Sequence, residues 1–67
     1  MKAIRKERES QGLTQVELAR MSRVQQSRIS AIETGYAIPY SAELERLAYA
    51  LNFTGKPAEL LLEEVAN

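Results

Sequence analysis

The sequence contains no cysteine, histidine, aspartate or tryptophan. Without cysteine, disulfide bridges and cysteine-ligated zinc sites are excluded, and without histidine the chain lacks the commonest metal ligand and general base. Glutamate, lysine, tyrosine and serine remain, but no paired carboxylates, phosphate-binding loop or nucleophile motif is present. We therefore predict that the protein is not an enzyme and uses no metal and no cofactor.

Long apolar runs are also lacking. No stretch approaches the roughly 20 apolar residues of a membrane span, and the polar, lysine-bearing start is unlike a secretory signal. A chain of 67 residues forms one domain at most and buries only about 60 % of its unfolded surface. These features predict a single domain over residues 1–67, located in the cytoplasm, with no membrane partner.

Charge of one sign is not in excess, since the formal net charge is zero. The distribution is nevertheless uneven: residues 1–36 hold seven basic residues against four glutamates, whereas residues 37–67 hold two basic residues against five glutamates. A zero net charge alone is not typical of a nucleic-acid-binding protein. The basic half can still orient the molecule toward a polyanion, although ordinary solvated helix faces would give the same pattern.

Three glycines and two prolines leave a helix-prone chain, so the predicted fold class is all-α. The clearest start signal is a T-x-x-E capping box formed by Thr14 and Glu17, with Leu13 and Leu18 at the positions of a hydrophobic staple. Pro57 suits the first position of a last helix. Helix start and stop signals together with the spacing of apolar residues predict five helices, over about residues 2–10, 14–22, 25–34, 41–51 and 57–65.

The third helix has two candidate starts. Ser22 with Gln25 would form a capping box, but its staple positions do not pair; Gln25 as the cap places Val24 and Ile29 at the staple positions. We choose Gln25. A two-turn helix, a short turn and a second helix then form a helix-turn-helix unit over about residues 14–35.

The start of this third helix is rich in polar side chains that cannot be buried if Ile29 and Ile32 face the core. Glutamine can pair with adenine N6 and N7, arginine suits guanine or phosphate, and the first residues of the second helix in such a unit contact base edges. A glutamine at the start of the preceding helix would meet a phosphate. Exposed glutamines are also ordinary surface residues, so their chemistry alone leaves both interpretations open. The polar residues concerned are Gln25, Gln26 and Arg28, with Gln15 on the preceding helix; the small apolar Ala31 lies on the same outer side of the third helix.

The order of residues in "GLTQVELARMSRVQQSRISAIETG", residues 12–35, resembles the phage repressor and Cro family of helix-turn-helix proteins. The shared pattern is "LTQ..LA.....V..S.IS.IE.G", and the resemblance extends from about Ile4 to Leu62. It implies a compact five-helix lambda repressor-like domain of bacterial or phage origin, with the helix-turn-helix formed by helices 2 and 3. It also implies sequence-specific binding of double-stranded DNA, usually as a homodimer on a palindromic operator.

Position by position, the resemblance implies a set of site residues. Arg23 stands where the family commonly has glycine, which predicts either a positive φ at a cost of about 1 kcal/mol or a differently shaped turn. Ser22 and Glu7 replace aliphatic residues, which reduces the apparent core. The loop "YAIPY" carries no positive charge, so weak non-specific affinity is expected. The implied base contacts are Gln25, Gln26, Ser27 and Ala31; the implied phosphate contacts are Gln15, Arg28, Arg23 and Tyr36; the implied structural ion pair is Arg8 with Glu33.

The leucine-rich segment 58–66 has three consecutive leucines, which spread over about 200° of a helix. Either Leu61 and Val65 pack inward with the others at the edges, or Phe53, Leu60 and Leu61 form a two-fold contact that sets two recognition helices about 34 Å apart. The resulting prediction is a small transcriptional regulator, repressor/Cro-like or restriction-modification controller-like, that inserts helix 3 into the major groove and needs no small-molecule ligand. The alternative is a protein-interaction module or antitoxin-type protein that retains the fold.

Overall fold

A computed structural model describes residues 1–64, which fold into α-helices and one 3₁₀ helix. The elements are α1 (Ala3–Ser10), α2 (Gln15–Ser22), α3 (Gln26–Thr34), α4 (Ser41–Ala50) and the 3₁₀ helix Pro57–Leu61. The all-α prediction is confirmed, and the first four helices begin and end within one residue of their predicted bounds. In this part of the chain no helix has the length and apolar character needed to cross a membrane.

The predicted fifth α-helix is wrong in type and length over the described residues. Pro57–Leu61 form a 3₁₀ helix, and Leu62 is already extended, with φ −71° and ψ 145°. The chain leaves the helix there because it pairs with the N-terminal segment: the Ala3 N–H donates to the Leu62 carbonyl at 2.8 Å, and the Glu64 N–H donates to the Met1 carbonyl at 2.7 Å. The predicted end near residue 65 lies outside the described residues.

One hydrophobic core lies beneath all five elements. Ile4 from α1, Leu18 from α2 and Leu47 from α4 are fully buried. Burying each such side chain favours folding by about 1.5–3 kcal/mol, so this small chain depends on nearly all of them. The complete buried apolar cluster comprises Ile4, Leu18, Val24, Ile29, Ile32, Leu47, Ala48, Leu51 and Leu60.

Leu60 belongs to this core, which corrects its predicted place in a dimer contact. Its side chain is 0 % exposed, so it cannot reach a partner molecule. Leu61 and Phe53 are half-buried and pack against the core edge, whereas Leu62 is exposed. The inward leucine is thus Leu60 and not Leu61, because the 3₁₀ turn rotates the side chains differently from the α-helix on which the prediction was based.

The start of α2 forms as predicted. Thr14 Oγ1 accepts from the Glu17 N–H at 3.1 Å, and the Thr14 N–H donates to Glu17 Oε1 at 3.0 Å. The bond from the Thr14 N–H to the Glu17 carboxylate lowers the pKa of Glu17. Leu18 is fully buried and Leu13 packs against the same core. The capping box therefore fixes where α2 begins and which of its faces points inward.

Candidate nucleic-acid interface

Helices α2 and α3 are joined by a tight turn at Arg23. Arg23 has φ 60° and ψ 27°, a left-handed conformation that favours glycine, and its N–H donates to the Ala19 carbonyl at 2.9 Å. Ser22 is buried and its Oγ accepts from the Val24 N–H at 3.2 Å. The turn therefore has the positive-φ shape that a glycine would give, and the serine that replaces an aliphatic residue stabilises it by a local hydrogen bond.

The first turn of α3 presents polar side chains to solvent. Ile29 and Ile32 are fully buried on the inner face, while Gln25, Gln26 and Ser27 are exposed. Gln25 is the N-cap residue, but its side chain makes no capping hydrogen bond, and no acidic residue lies in the first turn. Within residues 1–64 no hydrogen bond uses these three polar side chains, and they share one exposed surface with the positive end of the helix dipole.

The other predicted base reader, Ala31, lies one turn further along α3 and is half-buried. Its carbonyl accepts from the Tyr36 N–H at 2.8 Å and from the Ala37 N–H at 3.1 Å. These bonds fold the loop after α3 back onto the helix. The Tyr36 side chain remains 90 % exposed, at the start of a loop that carries no charge.

Gln15, at the start of α2, is connected to the end of α3. Its Nε2 donates to Glu33 Oε1 at 3.1 Å, and the side chain is half-buried. This bond uses one amide proton and leaves the amide oxygen and the second proton for a ligand. The hydrogen bond to Glu33 thus orients the side chain of Gln15, the predicted phosphate-binding glutamine.

Glu33 is also held by Arg8, its predicted ion-pair partner. Arg8 Nε and Nη2 lie 2.7 Å and 3.0 Å from the two Glu33 carboxylate oxygens, and Arg8 Nη1 donates to the Leu13 carbonyl at 2.7 Å. Both side chains are almost fully buried, and the bonds to Glu33 raise the pKa of Arg8. All three guanidinium nitrogens of Arg8 therefore donate hydrogen bonds, and these bonds connect α1 with α3 and with the turn before α2.

Arg28 was expected to contact phosphate, but the structure places its guanidinium on Glu43 of α4. Arg28 Nε donates to Glu43 Oε2 at 3.0 Å and Nη2 donates to Oε1 at 2.7 Å. Glu43 Oε1 also accepts from the Tyr40 N–H at 2.9 Å. Arg28 Cζ lies 5.5 Å from the Tyr40 ring centroid, within the range of a cation–π contact.

The bonds from Arg28 and Tyr40 lower the pKa of Glu43 to about 2, so its carboxylate is charged at neutral pH. The same pair raises the pKa of Arg28. The pair was missed in the sequence because its members are 15 residues apart and lie on different helices. The only local signal was the position of Glu43, three residues after Tyr40, which precedes α4. This spacing suits an N-terminal capping interaction.

Arg23 is exposed at the same end of α3, and with Arg20 it lines a shallow groove that ends at Gln25 and Gln26. The structure thus brings three of the predicted DNA-contacting residues, Arg23, Gln25 and Gln26, to one groove of the α2–α3 unit, whereas Arg28 is paired with α4. Across residues 1–64 no cluster of acidic side chains is arranged to hold a metal ion.

Comparison with known proteins gives one result. A family model described as helix-turn-helix matches residues 4–55. No curated protein and no solved structure matches the chain.

Proposed function

This chain belongs to the helix-turn-helix family of the phage repressor and Cro type, and on that premise we propose that it binds double-stranded DNA in a sequence-specific manner as a small transcriptional regulator. In this proposal α3 enters the major groove of an operator. Gln25, Gln26 and Ser27 read base edges, and the small side chain of Ala31 allows the helix to lie close to the bases.

The main support for this proposal is the exposure of polar side chains at the N-terminal end of α3. Gln25, Gln26 and Ser27 are exposed, and no side-chain hydrogen bond within residues 1–64 involves them. Ile29 and Ile32 on the inner face of the same helix are fully buried, so the core fixes the position of α3. Rigid support under uncommitted amides is what direct reading of base edges requires, since a bidentate amide contact tolerates little displacement.

Phosphate contacts are assigned to Gln15, Arg23 and Tyr36, which flank this surface. Gln15 is oriented by Glu33, and its position at the start of α2 adds the helix dipole to the attraction. Among these three, only Arg23 carries a charge. We therefore expect a shallow salt dependence, because each neutralised phosphate contributes about 0.9 to the slope of log K against log salt.

A homodimer on a palindromic operator completes the proposal. With Leu60 in the core, the two-fold contact would use Phe53, Leu61 and the exposed Leu62. Leu61 is the last residue of the 3₁₀ helix, Leu62 follows it, and Phe53 lies in the segment before it. Sedimentation at micromolar concentration with and without operator DNA tests this part, and a monomer under both conditions would eliminate the dimer.

The decisive experiment is selection of bound fragments from random DNA at two salt concentrations, followed by binding measurements on variants. Gln26→Ala should lose about 1–3 kcal/mol of discrimination at one base pair, whereas Gln15→Ala should weaken binding to all sequences alike. Thr54→Ala, an exposed truncation in the segment after α4, serves as the control. Absence of any enriched sequence would contradict the proposal, and equal losses from Gln26→Ala on all sequences would contradict the role of Gln26.

A second candidate function, a protein-interaction module of antitoxin type, has one observation in its favour. The C-terminal part of α2 and the outer face of α4 form a groove with the exposed side chains of Met21 and Tyr49, flanked by Arg23 and Arg46. Exposed apolar surface of this kind occurs at protein interfaces. If the selection enriches no DNA sequence, this groove is the place to test by substitution.

A further inference from the structure

The pairing of Arg28 with Glu43 leaves one edge of the guanidinium free. A guanidinium has five N–H donors, and Glu43 occupies the Nε–H and one N–H of Nη2. The remaining donors are the two protons of Nη1 and the second proton of Nη2. One proton on each of these nitrogens points along the same end edge, and no hydrogen bond within residues 1–64 uses that edge, so it offers two parallel donors.

The side chain is held before any ligand arrives. Glu43 is itself fixed by the Tyr40 N–H, and the Tyr40 ring lies over the guanidinium. The Arg28 side chain is 33 % exposed and the Glu43 side chain 13 % exposed, so the carboxylate is the inner partner and the arginine the outer one. A long flexible side chain that is already ordered loses less conformational entropy when it binds.

Two chemical groups of DNA accept two parallel N–H donors: the O6 and N7 atoms of guanine and the oxygens of a phosphate. The charge of the pair distinguishes them. The Glu43 carboxylate cancels the charge of Arg28 at 2.7 Å and would repel a nearby phosphate, which removes the main advantage of an arginine at the DNA backbone. The donor geometry needed by a guanine edge is unaffected by this neutralisation.

We propose that Arg28 is a base reader for a guanine in the major groove and that Glu43 is the residue that positions it. The inference rests on the proposed DNA binding and replaces the phosphate contact expected for Arg28. It adds a guanine to an operator half-site otherwise read by glutamine, serine and alanine. Tyr40 restricts the guanidinium from its ring face, while Glu43 sets its rotation.

The experiment uses the full chain and compares Arg28→Lys, Arg28→Ala and Glu43→Gln with the wild type by selection from random DNA and by titration of the enriched site. The control is Glu45→Gln, which removes the same charge from an exposed position on the same helix. We expect the wild-type site to contain a guanine whose preference over other bases falls about 5- to 150-fold in both arginine variants. Lysine retains the charge but not the planar two-donor edge.

Glu43→Gln separates positioning from simple support of the fold. Its preference for the same guanine should fall, while its affinity for random DNA should rise and its salt slope should steepen by about 0.9, since the released Arg28 charge can then reach a phosphate. Glu45→Gln should retain the guanine preference. A purely structural role of Glu43 would instead lower binding to every sequence together.

A measurement without DNA tests the pair independently of the proposed function. In nitrogen-15 spectra of the free protein, the Arg28 Nε–H should give a slowly exchanging signal that disappears in Glu43→Gln. Absence of that signal in the wild type would overturn the positioning role. If Arg28→Ala weakens all sequences equally and lowers the salt slope, Arg28 contacts phosphate and the inference fails while DNA binding stands; if the wild type enriches no sequence, the proposed function fails as well.

Discussion

Replacing Arg8 with methionine should destabilise the fold more than replacing Arg8 and Glu33 together with apolar residues. The single change leaves the Glu33 carboxylate, whose side chain is 3 % exposed, with Gln15 as its remaining side-chain donor. Removing one partner of a buried ion pair costs about 3–5 kcal/mol, because an uncompensated charge stays buried. At roughly 0.05–0.15 kcal/mol per residue, the whole chain is stable by about 3–10 kcal/mol. Arg8→Met should therefore remove a large fraction of the free energy of unfolding.

The double variant Arg8→Met/Glu33→Leu removes both charges and roughly preserves volume. It leaves two groups without their former partner, the Leu13 carbonyl and the Gln15 amide, and both belong to half-buried residues that water can reach. We expect the double variant to recover most of the stability lost by Arg8→Met, ending within about 2 kcal/mol of the wild type.

The assay for this cycle is urea unfolding followed by circular dichroism, with free energies obtained by linear extrapolation. Comparing both single variants, the double variant and the wild type gives the coupling energy between Arg8 and Glu33. A loss below about 1 kcal/mol for Arg8→Met, or a double variant less stable than Arg8→Met, would refute the reasoning from burial.

Three further predictions concern local features. Arg23→Gly should raise stability by about 1 kcal/mol, or about 4–8 °C in Tm, because φ at this position is 60°. Asn52→Gly, at φ 51°, should raise stability by less than Arg23→Gly, because asparagine tolerates this conformation. A larger gain from Asn52→Gly than from Arg23→Gly would contradict the strain assigned to Arg23. Thr14→Ala should cost about 1 kcal/mol in urea unfolding through loss of the α2 cap, whereas the exposed Thr54→Ala should be nearly neutral; equal effects would exclude the cap as the cause. Glu43 has a folded-state pKa of about 2, below its unfolded value of about 4.3, so its stabilising contribution is complete above about pH 5 and is lost as pH falls through about 2. The difference in free energy of unfolding between wild type and Glu43→Gln should shrink as pH is lowered from about 5 to about 2. A difference that stays constant over this pH range would contradict the ionised pairing.

Local signals in the sequence were sufficient to predict the helices around the site. The capping box of Thr14 and Glu17 predicts the start of α2, and the staple positions of Val24 and Ile29 predict Gln25 as the N-cap of α3. These signals succeed because their partners are only a few residues apart, so the backbone geometry follows from the residue order. The residue type at Arg23 fits both a strained positive φ and another turn shape, and the structure has the positive φ.

Interactions between distant segments could not be predicted in the same way. The apolar spacing of the last segment and Pro57 at its start predict an α-helix over about residues 57–65. In the structure, pairing with the N-terminal residues determines the conformation of this segment up to Glu64. The Arg28–Glu43 pair likewise depends on how α3 and α4 pack. Arg8 and Glu33 were identified as partners through the family resemblance, whereas nothing in their spacing would have joined them.

The pairing of the two ends of the described chain also has a consequence for the order of folding. Lys2 Nζ donates to the Leu61 carbonyl across a separation of 59 residues, beside the backbone bonds of Ala3 and Glu64. Such contacts close nearly the whole chain into a loop, and their entropic cost is met only after the helices between them have packed. The ends should therefore join last and separate first, so that the Ala3 and Glu64 amides exchange with solvent through openings that leave the α2–α3 unit intact.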